Sequence, residues 1–210
     1  MVKSIKKVVK VSPTRERRKI IIVGTEGNNK TEEIYLRSLE KKQSRYHFIF
    51  ADGNDTDAVN IVNNTIKKAR TEGISNRNGD FAVSIFDLDI EKSKEKLYLK
   101  AKVIADSKNV MLITSNPCFE IWFLEHFCFT TKPFNGSSNL IKELKKYIPD
   151  YSKNLSVFDV LYPRLKVALV NCERLDKHHL ANRGDRQLQF CNPQTEVYKL
   201  VKLLSLTRLG

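Results

Sequence analysis

Lys19-Ile-Ile-Ile-Val23 is a β-branched run without polar alternation, the pattern of a strand buried on both faces, and it stops at Gly24. Thr31 to Ser44, rich in Glu, Leu and Lys, predicts a helix, after which His47–Ala51 returns as a short strand. Ala58, Ile61, Val62, Thr65, Ile66 and Ala69 recur at helical spacing, so an amphipathic helix is expected from near Asp55 or Thr56 to Gly73. Phe81-Ala-Val-Ser-Ile-Phe86 predicts a third strand and Val110-Met-Leu-Ile-Thr114 a fourth. Between them a stripe runs from Leu97 through Ala101, Ile104 and Ala105 to Lys108.

This order, βαβαβαβ, predicts an α/β fold: an open, mainly parallel sheet with right-handed crossovers and helices on both faces. From Pro117 the chain turns helical and apolar nearly all round (Phe119, Ile121, Trp122, Phe123, Leu124, Phe127), which predicts a deeply buried helix. Beyond Lys132 only helices are expected, over Ser137–Tyr147, Val157–Cys172 and Thr195–Leu206. Asn192-Pro193 would open the last, as a cap residue followed by proline at the first helical position. The chain thus divides into an arm over 1–18, an α/β core over 19–131 and a helical lobe over 132–210 packed on it.

With 210 residues and 41% hydrophobic content, the composition is that of a globular protein, excluding collagen, a coiled coil and wholesale disorder. No stretch approaches the ~20 apolar residues of a membrane helix. Even Cys118–Phe129 is broken by Glu120, Glu125 and His126. The N-terminus carries cations but no signal-peptide core, which points to the cytoplasm. The four cysteines form no CxxC pair and read as small buried residues. Cys172, His178, His179 and Cys191 follow no standard zinc spacing.

Charge changes the picture. More than half of the net +13 lies in the first nineteen residues, where eight cations, among them Lys6, Lys7, Lys10, Arg15, Arg17 and Arg18, face only Glu16. Such an arm either neutralises phosphates or serves as a solvated tail. A second basic region, Arg174, Lys177, His178, His179, Arg183 and Arg186, falls in an expected Gly/Asn-containing loop. Two such regions favour a polyanionic partner, nucleic acid.

Ligands of open α/β sheets gather beyond the carboxyl ends of the strands, where strand order reverses. Glu26 lies just past the first strand, and Asp87 and Asp89 close the third. If those strands are neighbours, three carboxylates meet. Residues i and i+2 of a strand share a face, so Asp87 and Asp89 can address one cation while Leu88 packs away. Mg²⁺ takes hard oxygen ligands and bridges to phosphate, so metal-assisted phosphoryl transfer is the favoured chemistry. The plainer alternative is turn and helix capping, which suffices for Asp52, Asp55 and Asp57.

Gly24–Thr31 nearly matches the phosphate loop GxxxxGK[ST], but Asn29 replaces the second glycine and Glu26 has the wrong sign for an anion nest. An NTPase is therefore disfavoured, while Lys30 remains a candidate to face the scissile phosphate or leaving group. Glu120, an acid on an apolar helix, is either a cap or dipole partner or a fourth acidic site residue. His126 reads as a hydrogen-bonded core residue, and Tyr35 and Tyr46 as packing residues.

Glu26-Gly27 with Thr31-Glu32 and Tyr35, then Asp87-Leu-Asp89, Ser115-Asn-Pro-Cys-Phe-Glu-Ile-Trp122 and Asn192-Pro-Gln-Thr195, occur in the order of the RloB-like family, which the chain resembles over most of its length. Those proteins are similar to the Toprim group of topoisomerases, primases and OLD-type nucleases. The resemblance implies that Glu26, Asp87 and Asp89 hold Mg²⁺ (or Mn²⁺) for strand cleavage or joining. It also implies a role in bacterial restriction or phage defence, often beside an ATPase. The loop between Glu26-Gly27 and Thr31-Glu32 is one residue longer than the family's EGxxTE spacing. The expected function is a Mg²⁺-dependent nuclease, a phosphodiester hydrolase with water as nucleophile and Glu120 as reserve ligand or general base. The alternative is a non-catalytic nucleic-acid-binding or sensor subunit working with a partner ATPase.

Overall fold

The computed structural model describes residues 17–27, 30–53, 55–89 and 92–204. Lys6, Lys7, Lys10 and Arg15 of the arm, and the end of the last expected helix, lie outside the described residues. Strand β1 (Lys19–Gly24) sends Ile21 and Val23 into one apolar cluster and Ile22 into another, which is why its sequence shows no polar alternation. It pairs in parallel with β2 (Tyr46–Phe50) on one side and β3 (Phe81–Asp87) on the other. Then β4 (Val110–Asn116) pairs in parallel with β3, and a two-residue β5 (Gln194–Thr195) closes that edge antiparallel. The order β2-β1-β3-β4-β5 reverses between β1 and β3. The α/β expectation holds, with β1 and β3 adjacent.

Helices α2 (Ala58–Thr71) and α3 (Lys92–Ser107) cover one face, packing Ile61, Val62, Ile66, Tyr98 and Ala101 against Ile22, Ala82 and Phe86. Helix α1 (Thr31–Lys41) and the helical C-terminal region share the cluster on the other face, around Tyr35, Phe119, Trp122, Phe123 and Phe158. Asp57 caps α2, its carboxylate accepting from the Val59 and Asn60 N–H groups, and Asp55 accepts from the Asn64 amide at 2.7 Å. The carboxyl end of β1 lies against α2 so closely that a Cβ on Gly24 would fall 2.0 Å from Thr65 Oγ1. Thr65 itself is held by Ser84 Oγ at 2.9 Å, which locks β1, α2 and β3 together where the chain leaves the sheet.

The region after β4 departs from expectation. Helix α4 spans only Glu120–Leu124, and Pro117 lies before it, not at its start. Its residues are all buried, since an apolar segment needs burial whether or not it is regularly helical. Helix α5 covers Ser137–Leu144. The expected helix over Val157–Cys172 is split into α6 (Phe158–Leu161), a 3₁₀ turn over Tyr162–Arg164 containing Pro163, and α7 (Leu165–Asn182). Helix α7 runs ten residues beyond Cys172, so Arg174 and Lys177 are helical, not in a loop. Asn192-Pro193 leads into β5, and α8 (Val197–Leu203) starts later.

A candidate acidic site at the carboxyl edge of the sheet

Glu26 reaches β3 two residues after β1 ends, and its Oε1 accepts the backbone N–H of Asp87 at 3.1 Å. Asp87 is the last residue of β3 and follows Val83 and Ile85 in alternation, so it faces α1 and α4. Asp89 does not share that strand face, because the strand has ended. It has φ 46°, a left-handed conformation that aspartate tolerates, and the Leu88 and Asp89 N–H groups donate to Ser115 O at 2.9 Å and Pro117 O at 3.0 Å. Leu88 packs into the α2/α3 cluster, as the alternation predicts.

Two further acids come from neighbouring helices. Glu32 in the first turn of α1 is 1% exposed, and its Oε2 has no hydrogen-bond partner among the described residues. Glu120 of α4 is equally buried and accepts from Tyr151 Oη at 2.9 Å. Burial pushes the Glu32 carboxyl up to about 8, and the charges of Glu120 and Glu26 add to it. Asp87 is driven well above the usual carboxylate range by burial first and then by Glu32, Glu26, Glu120 and Asp89. Glu26 is also raised by burial, with Lys94 and the Asp87 N–H opposing.

Cations offset part of this repulsion. Lys94 of α3 places Nζ on Asp89 Oδ2 at 2.5 Å, 3.7 Å from Glu26 Oε1 and 3.5 Å from the Asp87 carbonyl oxygen. Burial pulls the Lys94 ammonium down, yet its bond to Asp89 and the surrounding acids hold it above its ordinary value. Lys153 is raised likewise, against burial, by Glu120 and its neighbours, and its carbonyl accepts from Thr31 Oγ1 at 2.8 Å. Among the described residues no three His, Cys, Asp or Glu side chains are gathered as a ready-made metal site.

The structure therefore brings Glu26, Asp87, Asp89 and Glu120 to one edge, but not Lys30, which is exposed just before α1. Sequence reasoning missed Glu32, Lys94 and Lys153 as site residues. Glu32 was detectable: it falls on the buried stripe Glu32, Tyr35, Leu36, Leu39, where an acid needs a reason. Lys94 lies one turn before Leu97 and Tyr98, while Lys153 is in a loop with no periodic signal. His126 is a core residue, as expected, with Nδ1 bonded to Trp122 O at 2.8 Å and burial lowering it to about 4.

The basic residues are distributed around this edge and away from it. Arg17 forms a two-point bridge to Asp80, and Arg18 binds Glu40 at the opposite end of β1. The Arg174 guanidinium lies 4.0 Å from the Phe129 ring centroid, and Lys177 is exposed on α7. Arg183 donates to Arg186 O, and Arg186 pairs with Glu95, the neighbour of Lys94. Arg186 thereby reaches the α3 turn that also carries Lys94.

No curated protein and no solved structure matches the chain. The family model for RloB-like proteins matches residues 21–204, which takes in every strand and helix described above apart from the first two residues of β1. The chain belongs to the RloB-like family.

Proposed function

We propose that the chain is a Mg²⁺- or Mn²⁺-dependent nuclease of the Toprim type, hydrolysing phosphodiesters of nucleic acid. The observation that carries this reading is the placement of Glu26 and Asp87 on adjacent strand ends at the reversal of strand order, with Asp89, Glu32 and Glu120 around them. The donor set fits a hard divalent cation: all five groups are carboxylates, one Glu32 oxygen is buried without a partner among the described residues, and burial together with the neighbouring acids raises Asp87 and Glu32 above the usual carboxylate range. Glu26, Asp87 and Asp89 would hold the ion, which supplies charge neutralisation at phosphate and a more acidic water. Lys94 bonds Asp89 directly, so it must yield or shift when that carboxylate takes a cation.

Around that centre the chain's own groups divide the work. Glu120, whose Oε1 accepts from the Tyr151 hydroxyl, is the reserve ligand or general base of this reading. Lys30, exposed and away from the acids, takes no part in this centre. A role in antiphage defence and a partner ATPase belong to the same reading through the family resemblance, and the cytoplasm through the N-terminal sequence. No helix among the described residues is long and apolar enough to cross a membrane. The test is cleavage of single- and double-stranded DNA and RNA with Mg²⁺, Mn²⁺ or EDTA, comparing wild type with Asp87→Asn. Metal-dependent cutting lost in the variant supports the reading. Binding without cutting sinks it in favour of the second reading, a non-catalytic binding or sensor subunit, which the Lys94–Asp89 ion pair favours as a metal-free way to balance the acids.

A further inference from the structure

At the amino end of the sheet, opposite the acids, lies a cleft of about 930 Å³ between α1 and the starts of β1 and β2. Arg17, Arg18, Lys19, Arg37, Lys41 and Arg45 line it against Glu40 alone. Arg17 and Arg18 are engaged with Asp80 and Glu40, but Lys19, Lys41 and Arg45 have no ion-pair partner among the described residues. Arg37 bonds Glu33 only through an exposed i,i+4 pair, which holds it weakly. Uncompensated guanidinium and ammonium groups in a concave surface concentrate polyanions.

The cleft does not end there. Arg37 also lines a second cavity, of about 560 Å³, which follows β2, the edge strand of the sheet among the described residues, past Phe50 to Gly27 and Lys30. Arg37 is common to both linings and Gly27 is the neighbour of Glu26, so the two cavities follow one another from the basic cleft toward the acidic site. Midway, the Arg37 guanidinium sits 4.6 Å from the Phe50 ring centroid. A cationic groove interleaved with an aromatic face suits a single strand, whose phosphates track the charges while its bases stack. Glu33 and Asp52 beside the second cavity leave its charge mixed, so the basic cleft supplies the grip.

From this geometry we infer that the cleft holding Arg37, Lys41 and Arg45 binds the backbone of single-stranded nucleic acid and leads it along β2 toward Glu26. This rests on the nuclease reading for its destination, not for its existence. The test measures anisotropy of labelled single-stranded DNA and RNA across a salt series in EDTA, so that binding is separated from cleavage. The triple variant Arg37→Ala/Lys41→Ala/Arg45→Ala removes three exposed cations, and Lys100→Ala/Lys142→Ala/Lys166→Ala removes three elsewhere. With about 0.7 counterions released per phosphate contact, the slope of log affinity against log salt falls by about 2 in the first variant and stays near wild type in the second. Affinity at 0.1 M salt drops on the order of 100-fold. Equal slopes in the two variants overturn the cleft while leaving the nuclease reading standing. A wild type that binds no single strand overturns the cleft proposal and leaves the nuclease reading to the cleavage of duplex substrates. Competition by poly-glutamate as effective as by an oligonucleotide of equal charge overturns the nucleic-acid assignment in favour of an acidic protein.

Discussion

The backbone N–H of Asp87 donates to Glu26 Oε1 at 3.1 Å, which ties the loop after β1 to the last residue of β3. One carboxylate thus does two things: it adds negative charge to the site and fixes the loop that carries it. Glu26→Gln keeps the acceptor and loses the charge, whereas Glu26→Ala loses both. Both variants are expected to abolish metal-dependent cleavage. Only Glu26→Ala should also lower stability, by about 1–3 kcal/mol for a buried donor left unpaired. Equal melting of the two variants in urea would show that the hydrogen bond does not organise the loop.

Lys94 balances the acids at short range, bonding Asp89 at 2.5 Å and lying 3.7 Å from Glu26. Lys94→Met keeps much of the side-chain volume and removes the ammonium. Without a divalent ion the variant should melt lower than wild type at pH 8, because like charges then face one another unscreened. Mn²⁺ should raise its Tm by more than it raises that of wild type, since the ion no longer competes with a lysine. Equal Mn²⁺-induced shifts would mean that Lys94 and the metal do not share the carboxylates.

Gly24 meets α2 with no room for a side chain, its notional Cβ lying 2.0 Å from Thr65 Oγ1 and 3.2 Å from the Ile61 carbonyl oxygen. The threonine cannot simply rotate away without giving up Ser84 Oγ. Gly24→Ala is therefore expected to cost about 1–3 kcal/mol through overpacking, read as a lowered urea midpoint with an unchanged m value. An unaffected midpoint would show that α2 can withdraw from β1 at little cost.

Legibility in the sequence followed how single-minded each segment is. Ile21–Val23 and Ala82–Phe86 are buried on both faces, so their unbroken apolar runs announced central strands and, through them, the edge on which Glu26 and Asp87 stand. The half of α7 beyond Cys172 was hidden because its buried positions include Asp176 and His179. Those polar groups are satisfied inside: Asp176 accepts from Gln194 Nε2 at 2.7 Å and from the Tyr198 hydroxyl, and His179 Nε2 meets Pro193 O at 2.6 Å. A polar core reads as a loop until its partners, supplied here from residues 193–198, are known. The lysines of the site were illegible for the same reason, since only the folded chain brings Lys94 and Lys153 to the acids.

Glu125, outside the acidic site, makes the clearest pH prediction. It is fully buried, neither carboxylate oxygen has a hydrogen-bond partner among the described residues, and burial raises it to about 8, with Arg174 opposing. Its folded value exceeds its ordinary value of 4.5, so the folded state holds the proton more tightly than the unfolded chain does. The corresponding stability is fully present below about pH 4.5 and is lost as pH rises through 8. At about 1.4 kcal/mol per unit, the shift is linked to at most about 5 kcal/mol across that window. Glu32 has the same sign, so the wild-type Tm should fall between pH 5 and pH 9. Glu125→Gln, neutral at every pH, should flatten that fall and melt higher than wild type at pH 9, by roughly 2–4 °C for each kcal/mol recovered. Because Glu125 lies away from the site acids, the gain should appear with or without Mg²⁺. Tm curves of wild type and variant that run parallel from pH 5 to pH 9 would show that Glu125 does not hold its proton in the folded protein.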